Sequence, residues 1–494
     1  MKINKIILAV LLPIMLSSCE QWLDVAPDDQ VNEETLFANG DGYRNALNGV
    51  YRDMATTQMY GRELTWGFVD VMGWVYDPLT IYYDCSNHEY YDVLLGKYNV
   101  QVVKNISEAF WSQAYNSIAN CNNIIARIDG ENPSKFAGGE EERNMIHGEA
   151  LALRAYLHFD MLRLFAPAPK VADDKGYIPY YERYGSTSEA RASVPVILEK
   201  IERDLLKAKD LVAPFDTTGN HKVWMSTRLR IEGGRGSGDS YLPDDLFYMY
   251  RGFRMNYYAI CATLARVYSY GDKQTLAREC AEEVVEATYP QSSYNTKCFT
   301  FTGGGSYNSN YKLYDGVIFG LSNQKLIDDY SNYLGTANDI KLPVYYDAII
   351  YNENYDEVDT EDARLTLFSV VDDYYYYSKK YTMQVGNSYG EDLIPMIRLS
   401  EMYYIISEAL YTEGQTQSGI DKLDEVRMAR GIRGGKLQIE SLEEMQKAIL
   451  RDARRDFIGE GQLFYYYKKY DMTPNDWGYT IGRVLPLPDN QLIH

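Results

Sequence analysis

The stretch RLSEMYYIISEALYTEGQTQSGIDKLDEVRMARG, Arg398 to Gly431, reads as two helices folded back on a turn at Gly414. A second stretch, RMNYYAICATLARVYSYGDKQTLARECAEEVVEA (Arg254 to Ala287), has the same layout around Gly271-Asp272. Both are 34 residues long. Each places a small or apolar residue six positions after its glycine, Ala277 in one and Ile420 in the other.

A helix pair repeating at 34 residues has the period of a tetratricopeptide unit, although the full tetratricopeptide pattern is absent. Pairs of this kind stack into a curved scaffold whose loops and concave face carry function. The rest of the chain supplies more helices. Asn105 and Glu108 form a capping-box pattern ahead of the stripe Ile106, Phe110, Ala114, Ile118, Cys121, Ile125 and Ile128. Another helix is expected over about 141–165, burying Ile146, Ala150, Leu153, Leu157, Met161 and Leu164, and stopped by Pro167 and Pro169. Ser193 caps a third, with Ile197, Ile201, Leu205, Ala208 and Leu211 on one face. Ser441 and Glu444 box the start of a last one carrying Leu442, Met445, Ile449, Ala453 and Phe457. The expected fold class is mainly α.

Between the helices lie long irregular stretches at about 57–104, 213–250, 289–345 and 351–394. They exceed ordinary loop lengths, which points to functional loops or small strands. They carry too much apolar surface to be disordered by composition.

The chain has 494 residues and a formal charge of −21, which excludes attraction to nucleic acid or to anionic lipid. Tyrosine is the unusual residue: 47 of them, against 15 Phe and six Trp. A tyrosine offers a flat apolar face and a polar tip, suited to ligands of mixed polarity. Most are nevertheless expected at helix interfaces. The cysteines Cys85, Cys121, Cys261, Cys280 and Cys298 are scattered and make no CxxC, so neither a disulfide framework nor a zinc site is expected. Cys121 and Cys261 fall on apolar helix stripes and read as small core residues.

The N-terminus carries Lys2 and Lys5, then an apolar run from Ile6 to Leu16, too short to span a bilayer and typical of an export signal. The sequence Leu16-Ser17-Ser18-Cys19 resembles the lipobox of bacterial lipoproteins. That resemblance implies cleavage before Cys19 and acylation of that residue, with the acyl chains holding the protein on outer-membrane lipid. Residues 1–18 are then the signal and 19–30 the anchor and tether.

Beyond this point the chain resembles the SusD/RagB family of outer-membrane nutrient-binding lipoproteins. The resembling segments are CEQWLDVAPDDQVNEETLFANGDGYRNALNGVY, AYNSIANCNNIIARID, GEALALRAYLHFDMLRLFAPAP, IPMIRLSEMYYIISEAL with KLDEVRMARGI, RRDFIGEGQLFYYYKKYD and VLPLPDNQL, in that order. The sequence departs from the family pattern at Asp456, where glutamate is usual, and at Tyr465–Tyr467, where Arg-x-x-Asp-Leu is usual. The resemblance implies a SusD-like fold over residues 31–494, with an N-terminal part over about 31–240 and a RagB/SusD part over about 241–494. Its scaffold would be four tetratricopeptide-like units with a loop-rich ligand-binding part packed on it. It also implies an outward-facing lid on a SusC-type TonB-dependent transporter of the outer membrane, delivering glycan or, in some relatives, peptide.

Enzymatic motifs are missing: there is no GxSxG, no HExxH and no P-loop, and His88-Glu89 lacks a second histidine. His147 and His158 sit inside a helix and are expected to be packed. The run Gly233 to Gly238 is followed by no Lys-Ser/Thr and reads as a flexible surface loop. Asp356, Asp359, Glu361 and Asp362 could serve calcium, but the EF-hand glycine is missing, and a solvated acidic loop with no cofactor is the expectation. The protein is therefore read as a binder, not an enzyme.

Sugar rings present C–H faces that lie flat on aromatic rings, while their hydroxyls need polar partners at the rim. The segment WGFVDVMGWVYDPLTIYYD meets this need most fully, with Trp66, Asp70, Trp74, Tyr76, Asp77, Tyr82, Tyr83 and Asp84. Trp224, Tyr307 and Tyr311 are further candidates; Tyr307 and Tyr311 lie just after Gly303-Gly304-Gly305. At least half of these aromatics are expected to pack loops onto the scaffold. The competing functions are the same lid role for a peptide and a lipoprotein that makes protein contacts alone.

Overall fold

Helices are laid out in the order the hydrophobic spacing predicts. The computed structural model describes residues 33–491, apart from 235–240, 292–293, 335–339, 347–348, 350–360, 385–388, 434, 436 and 474–482. The export signal, Cys19 and the whole tether lie outside the described residues, as do Asp356 and Asp359.

The first long helix, α1 (Gly40–Met54), is capped by Asn39, whose side chain accepts from the Gly42 N–H. Next come α2 (Gln101–Ile128), α3 (Gly139–Phe165) and α4 (Val194–Asp216). The two 34-residue stretches form α5 (Tyr257–Tyr270) with α6 (Gln274–Val285), and α7 (Leu399–Thr412) with α8 (Thr416–Ala429). The chain closes with α9 (Leu442–Asp456) and α10 (Leu463–Tyr470). Each helix from α2 to α8 packs on the next one along the chain, and α9 packs back on α7. This is the stacking expected of helix repeats.

α2 begins at Gln101, four residues before the capping-box pattern predicted. Val103 is buried and carries the helix backwards onto the core. Glu108 therefore sits inside the helix, where its carboxylate accepts from the Asp489 N–H instead of capping. At α9 the capping reading holds: Ser441 Oγ accepts from the Glu444 N–H at 3.2 Å. Glu444 reaches back one residue further, to the Glu440 N–H.

The two hairpins share one turn chemistry, in a register the glycines alone did not reveal. In α7–α8 the left-handed residue is Gly414 (φ +84°), and in α5–α6 it is Asp272 (φ +59°), not Gly271. In both, the next N–H bonds back five residues, Gln415 to Leu410 O and Lys273 to Tyr268 O, and the left-handed residue bonds back three. That pair of bonds is the Schellman motif. Aligned on it, the counterpart of Ala277 is Gly419, not Ile420. A Cβ on Gly419 would stand 2.7 Å from the Ser407 carbonyl oxygen on α7. Gly419→Ala is expected to push α7 and α8 apart and cost about 1–3 kcal/mol, the usual range for overpacking. A urea unfolding curve measures it, and an unchanged midpoint would refute this account of the hairpin.

α3 is the central helix, buried on nearly all sides, and so its charged groups need partners. Arg154 pairs with Asp204 at 2.7 Å, and Glu149 lies between Arg251 (2.6 Å) and Arg254 (2.9 Å). His158 is packed as expected. Its Nε2 accepts from the Tyr181 N–H and its Nδ1 lies 2.9 Å from Arg154 O, which fixes a neutral ring, and burial pulls its pKa down to about 3. The five cysteines among the described residues are free thiols, with Cys121 and Cys261 in the core.

Strands are few and short. β1 (Val317–Ser322) pairs antiparallel with β4 (Leu393–Arg398), which runs straight into α7. Between them, β2 (Phe368–Val371) and β3 (Tyr375–Ser378) form a hairpin. Asp372 and Asp373 at its tip both have positive φ (53° and 56°), the type I′ geometry that matches the twist of paired strands.

Beside α9 lies a buried charge cluster. Asp456 accepts from Arg364 (2.7 Å) and Arg430 (2.8 Å), while Asp362 binds Arg364 (2.8 Å) and Arg455 (3.2 Å). Asp362 is thus spent on arginines instead of forming a solvated acidic loop or a calcium site. Glu361, also in that group, accepts from the Arg433 N–H.

Candidate functional site: an exposed tyrosine surface

The segment from Trp66 to Asp84 is built in two layers, and the boundary between them separates core from surface. Phe68–Met72 is a short, wholly buried helix. Trp66 is 0 % exposed, held edge-on by Tyr330 (5.1 Å) and Tyr333 (5.0 Å), with its indole N–H on Gly61 O. Asp70 is equally buried, and its carboxylate accepts from the N–H groups of Gly459 (2.7 Å) and Gly461 (2.9 Å). Burial pushes the Asp70 carboxyl well above the usual range, against the pull of those two bonds. Tyr76 is buried too, its hydroxyl donating to Trp66 O. These three residues were expected to touch ligand. They instead lock the loop onto the scaffold, because their polar atoms already have partners in the interior.

Trp74 stands at the boundary. It is nearly buried, yet it lines a cleft of about 160 Å³ with Pro78, Leu79, Tyr82, Tyr83, Leu94 and Leu95. Its backbone is left-handed (φ +52°), a strained state for a bulky residue, and its carbonyl accepts from Arg454 at 2.9 Å. From there the chain runs extended: Tyr76 bridges Val344, and Val344 N–H bonds Tyr376 O. This tie docks the β2–β3 hairpin beside the helix Pro78–Asp84.

That helix is capped by Asp77, whose carboxylate accepts from the N–H groups of Leu79 and Thr80. Asp77 is a positioning residue here, with Pro78 at the first helical position. The helix then turns outward three apolar side chains: Leu79, Tyr82 and Tyr83, the last 72 % exposed. Tyr82 and Tyr83 stand edge to face at 5.0 Å, and Tyr91 backs Tyr82 at 5.5 Å. Asp84 accepts from the Tyr375 hydroxyl at 2.9 Å and pairs with Lys341 at 3.4 Å. The Asp84 carboxylate, through that bond, pushes the Tyr375 phenol up to about 12. Tyr374, 68 % exposed, stands edge-on to Tyr375 at 5.1 Å.

Tyr374, Tyr375 and Lys341 went unnoticed in the sequence. The signal was the run Asp372-Asp373-Tyr374-Tyr375-Tyr376-Tyr377, an Asp-Asp turn followed by tyrosines alternating between two faces. The other three candidates lie apart from this surface. Trp224 stacks on His221 (4.2 Å) and lies parallel to Tyr248, with its N–H on Tyr241 O. Tyr307 is buried, its hydroxyl accepting from Arg430, and so it is out of reach of a ligand. Tyr311 packs beside it, under Lys379.

Residues 21–219 match the family model described as starch-binding associating with outer membrane, and residues 371–483 match the one described as SusD family. The chain belongs to the SusD family. Among relatives, SusD-like protein P25 of Formosa agariphila is 26% identical over 172 residues, which is 34% of this chain and 31% of that protein. The chain thus aligns with about a third of that relative's length. The SusD fold is matched over nearly the whole chain. A SusD superfamily protein of Bacteroides thetaiotaomicron superposes with a TM-score of 0.68 at 20% identity, covering 92% of this chain and 97% of that one. A SusD-like carbohydrate binding protein of Bacteroides vulgatus gives 0.61 at 18% identity, covering 88% and 84%. Family membership makes this an outer-membrane-associated, nutrient-binding protein in general terms. No helix among the described residues is long and apolar enough to cross a membrane.

Proposed function

We propose that the protein captures an oligo- or polysaccharide on the tyrosine surface around Tyr82, Tyr83 and Tyr374 and passes it to a SusC-type TonB-dependent transporter. Acyl chains on Cys19 would hold it on the outer membrane, facing outward. The observation that carries this reading is a set of exposed tyrosine faces beside a tied polar group, Asp84–Tyr375–Lys341. Flat rings meet sugar C–H faces, and the polar group meets hydroxyls. The protein binds without catalysis in this reading, and it uses neither metal nor cofactor.

A calorimetric screen of the purified protein tests it, with neutral plant, host and microbial polysaccharides beside a mixed oligopeptide pool. Saturable binding to one neutral polysaccharide supports the reading and names the substrate class. Binding confined to peptides would overturn the glycan assignment while keeping the lid role.

A further inference from the structure

A second groove lies away from the tyrosine surface. It consists of two adjoining hollows of about 330 and 360 Å³ that share Tyr250, Phe253 and Ser322. One end is cationic. Arg52, on the last turn of α1, is exposed, and the one carboxylate its charge is seen to act on is that of the adjacent Asp53, where it partly offsets the upward push of burial. Arg254, only 8 % exposed, lines the same hollow. Its Nε is held by Glu149 and its Nη1 by Asn48 Oδ1, with the guanidinium 4.7 Å from the centre of the Phe247 ring, while its Nη2 meets no acceptor. A buried N–H without a partner is costly, and an anionic oxygen seated at this end would relieve it. The helix dipole accounts for Arg52 on α1, but it does not account for the unsatisfied Arg254 beside it.

The floor is aromatic and was built at a conformational cost. Tyr250 is left-handed (φ +57°), and its ring lies where a Cβ on Gly233 would be, 2.3 Å from the ring carbon. Gly233, itself at φ +63°, makes room for it. Gly233, the first residue of the glycine run, is therefore the seat for this ring; residues 235–238 of the run lie outside the described residues. The far end carries Glu232 and Asp392, which already accept from Tyr314 and Ser322 hydroxyls and keep acceptor capacity for more.

We infer that this groove binds an acidic oligosaccharide, one bearing a uronate carboxylate. The carboxylate would sit at Arg52 and Arg254, a sugar ring would lie on Tyr250 and Phe253, and hydroxyls would donate to Glu232 and Asp392. In a chain with a formal charge of −21, an exposed arginine beside one with an unsatisfied N–H is the feature that selects an anion. The inference shares with the preceding reading only the premise of a sugar ligand, and it uses different residues.

The test is calorimetry on the full-length protein with pentamers of galacturonate, of mannuronate and of the glucuronate-containing hyaluronan repeat, each beside its methyl ester. At least one free acid should bind saturably, about tenfold more tightly than its ester, since charge-assisted hydrogen bonds are about twice as strong as neutral ones. Arg52→Gln, an exposed change with an unaltered melting temperature, should lose that same factor for the acid and none for the ester. Equal affinity of acid and ester, an unaffected Arg52→Gln variant, or no binding of any of the three acids would overturn the inference. Changes at Tyr83 and Tyr374 should leave uronate binding intact, so failure of one site does not mimic failure of the other.

Discussion

Asp456→Ala is expected to lower folding stability by about 3–5 kcal/mol, the usual consequence of removing one member of a buried ion network. Asp456 is 4 % exposed and is shared by Arg364 and Arg430. Its removal strands the buried Arg430 guanidinium, which keeps only the Tyr307 hydroxyl, and takes one of three carboxylates from Arg364, which still holds Asp362 and Asp452. The effect should also depend on pH. The neighbouring arginines outweigh burial and hold the Asp456 and Asp362 carboxyls below their ordinary range. Their contribution is therefore fully present above about pH 4, the unfolded carboxylate value, and it fades as pH falls toward the lower folded values. Urea unfolding at several pH values measures this. The difference between wild type and variant should be constant from about pH 8 to pH 5 and shrink below pH 4. A cost under about 1 kcal/mol at neutral pH would mean that the cluster contributes no more than a surface ion pair does.

The second large effect concerns the tyrosine surface. Tyr83→Ala and Tyr374→Ala should each weaken glycan binding by about 2 kcal/mol, roughly thirtyfold, the scale of a hot-spot aromatic. Combined, they should abolish measurable binding of the neutral polysaccharide found in the screen. Both side chains are largely exposed, so melting temperature should stay within a degree or two of wild type. Trp66→Ala is the contrasting variant. It should lose stability by about 3–5 kcal/mol through the cavity it leaves, because its ring is enclosed by Tyr330 and Tyr333. Unchanged affinity in the tyrosine double variant would remove this surface from the ligand path.

Hydrophobic spacing carries most of the scaffold. The stripes on α2, α3 and α4, the Ser441 cap and the two 34-residue hairpins were all legible, because helix periodicity and capping are local properties of the chain. The site was legible only as a neighbourhood. Trp66, Asp70, Trp74, Tyr76, Tyr82 and Tyr83 look equivalent in the sequence, being aromatic and acidic residues in one loop. Tertiary packing divides them. Asp70 is claimed by backbone N–H groups some 390 positions away at Gly459 and Gly461. Tyr83 is left outside because the helix capped by Asp77 turns that face to solvent. The same holds for partners distant in sequence: Asp84 meets Tyr375 and Lys341 only because Val344 ties two remote extended segments together. The sequence by itself determined a mainly helical repeat scaffold, since each helix and turn is specified by residues within a few positions of one another. Which tyrosines face water, which acids meet arginines, and where Gly233 must give way to Tyr250 were decided by long-range packing, since burial depends on the whole fold and not on any one segment.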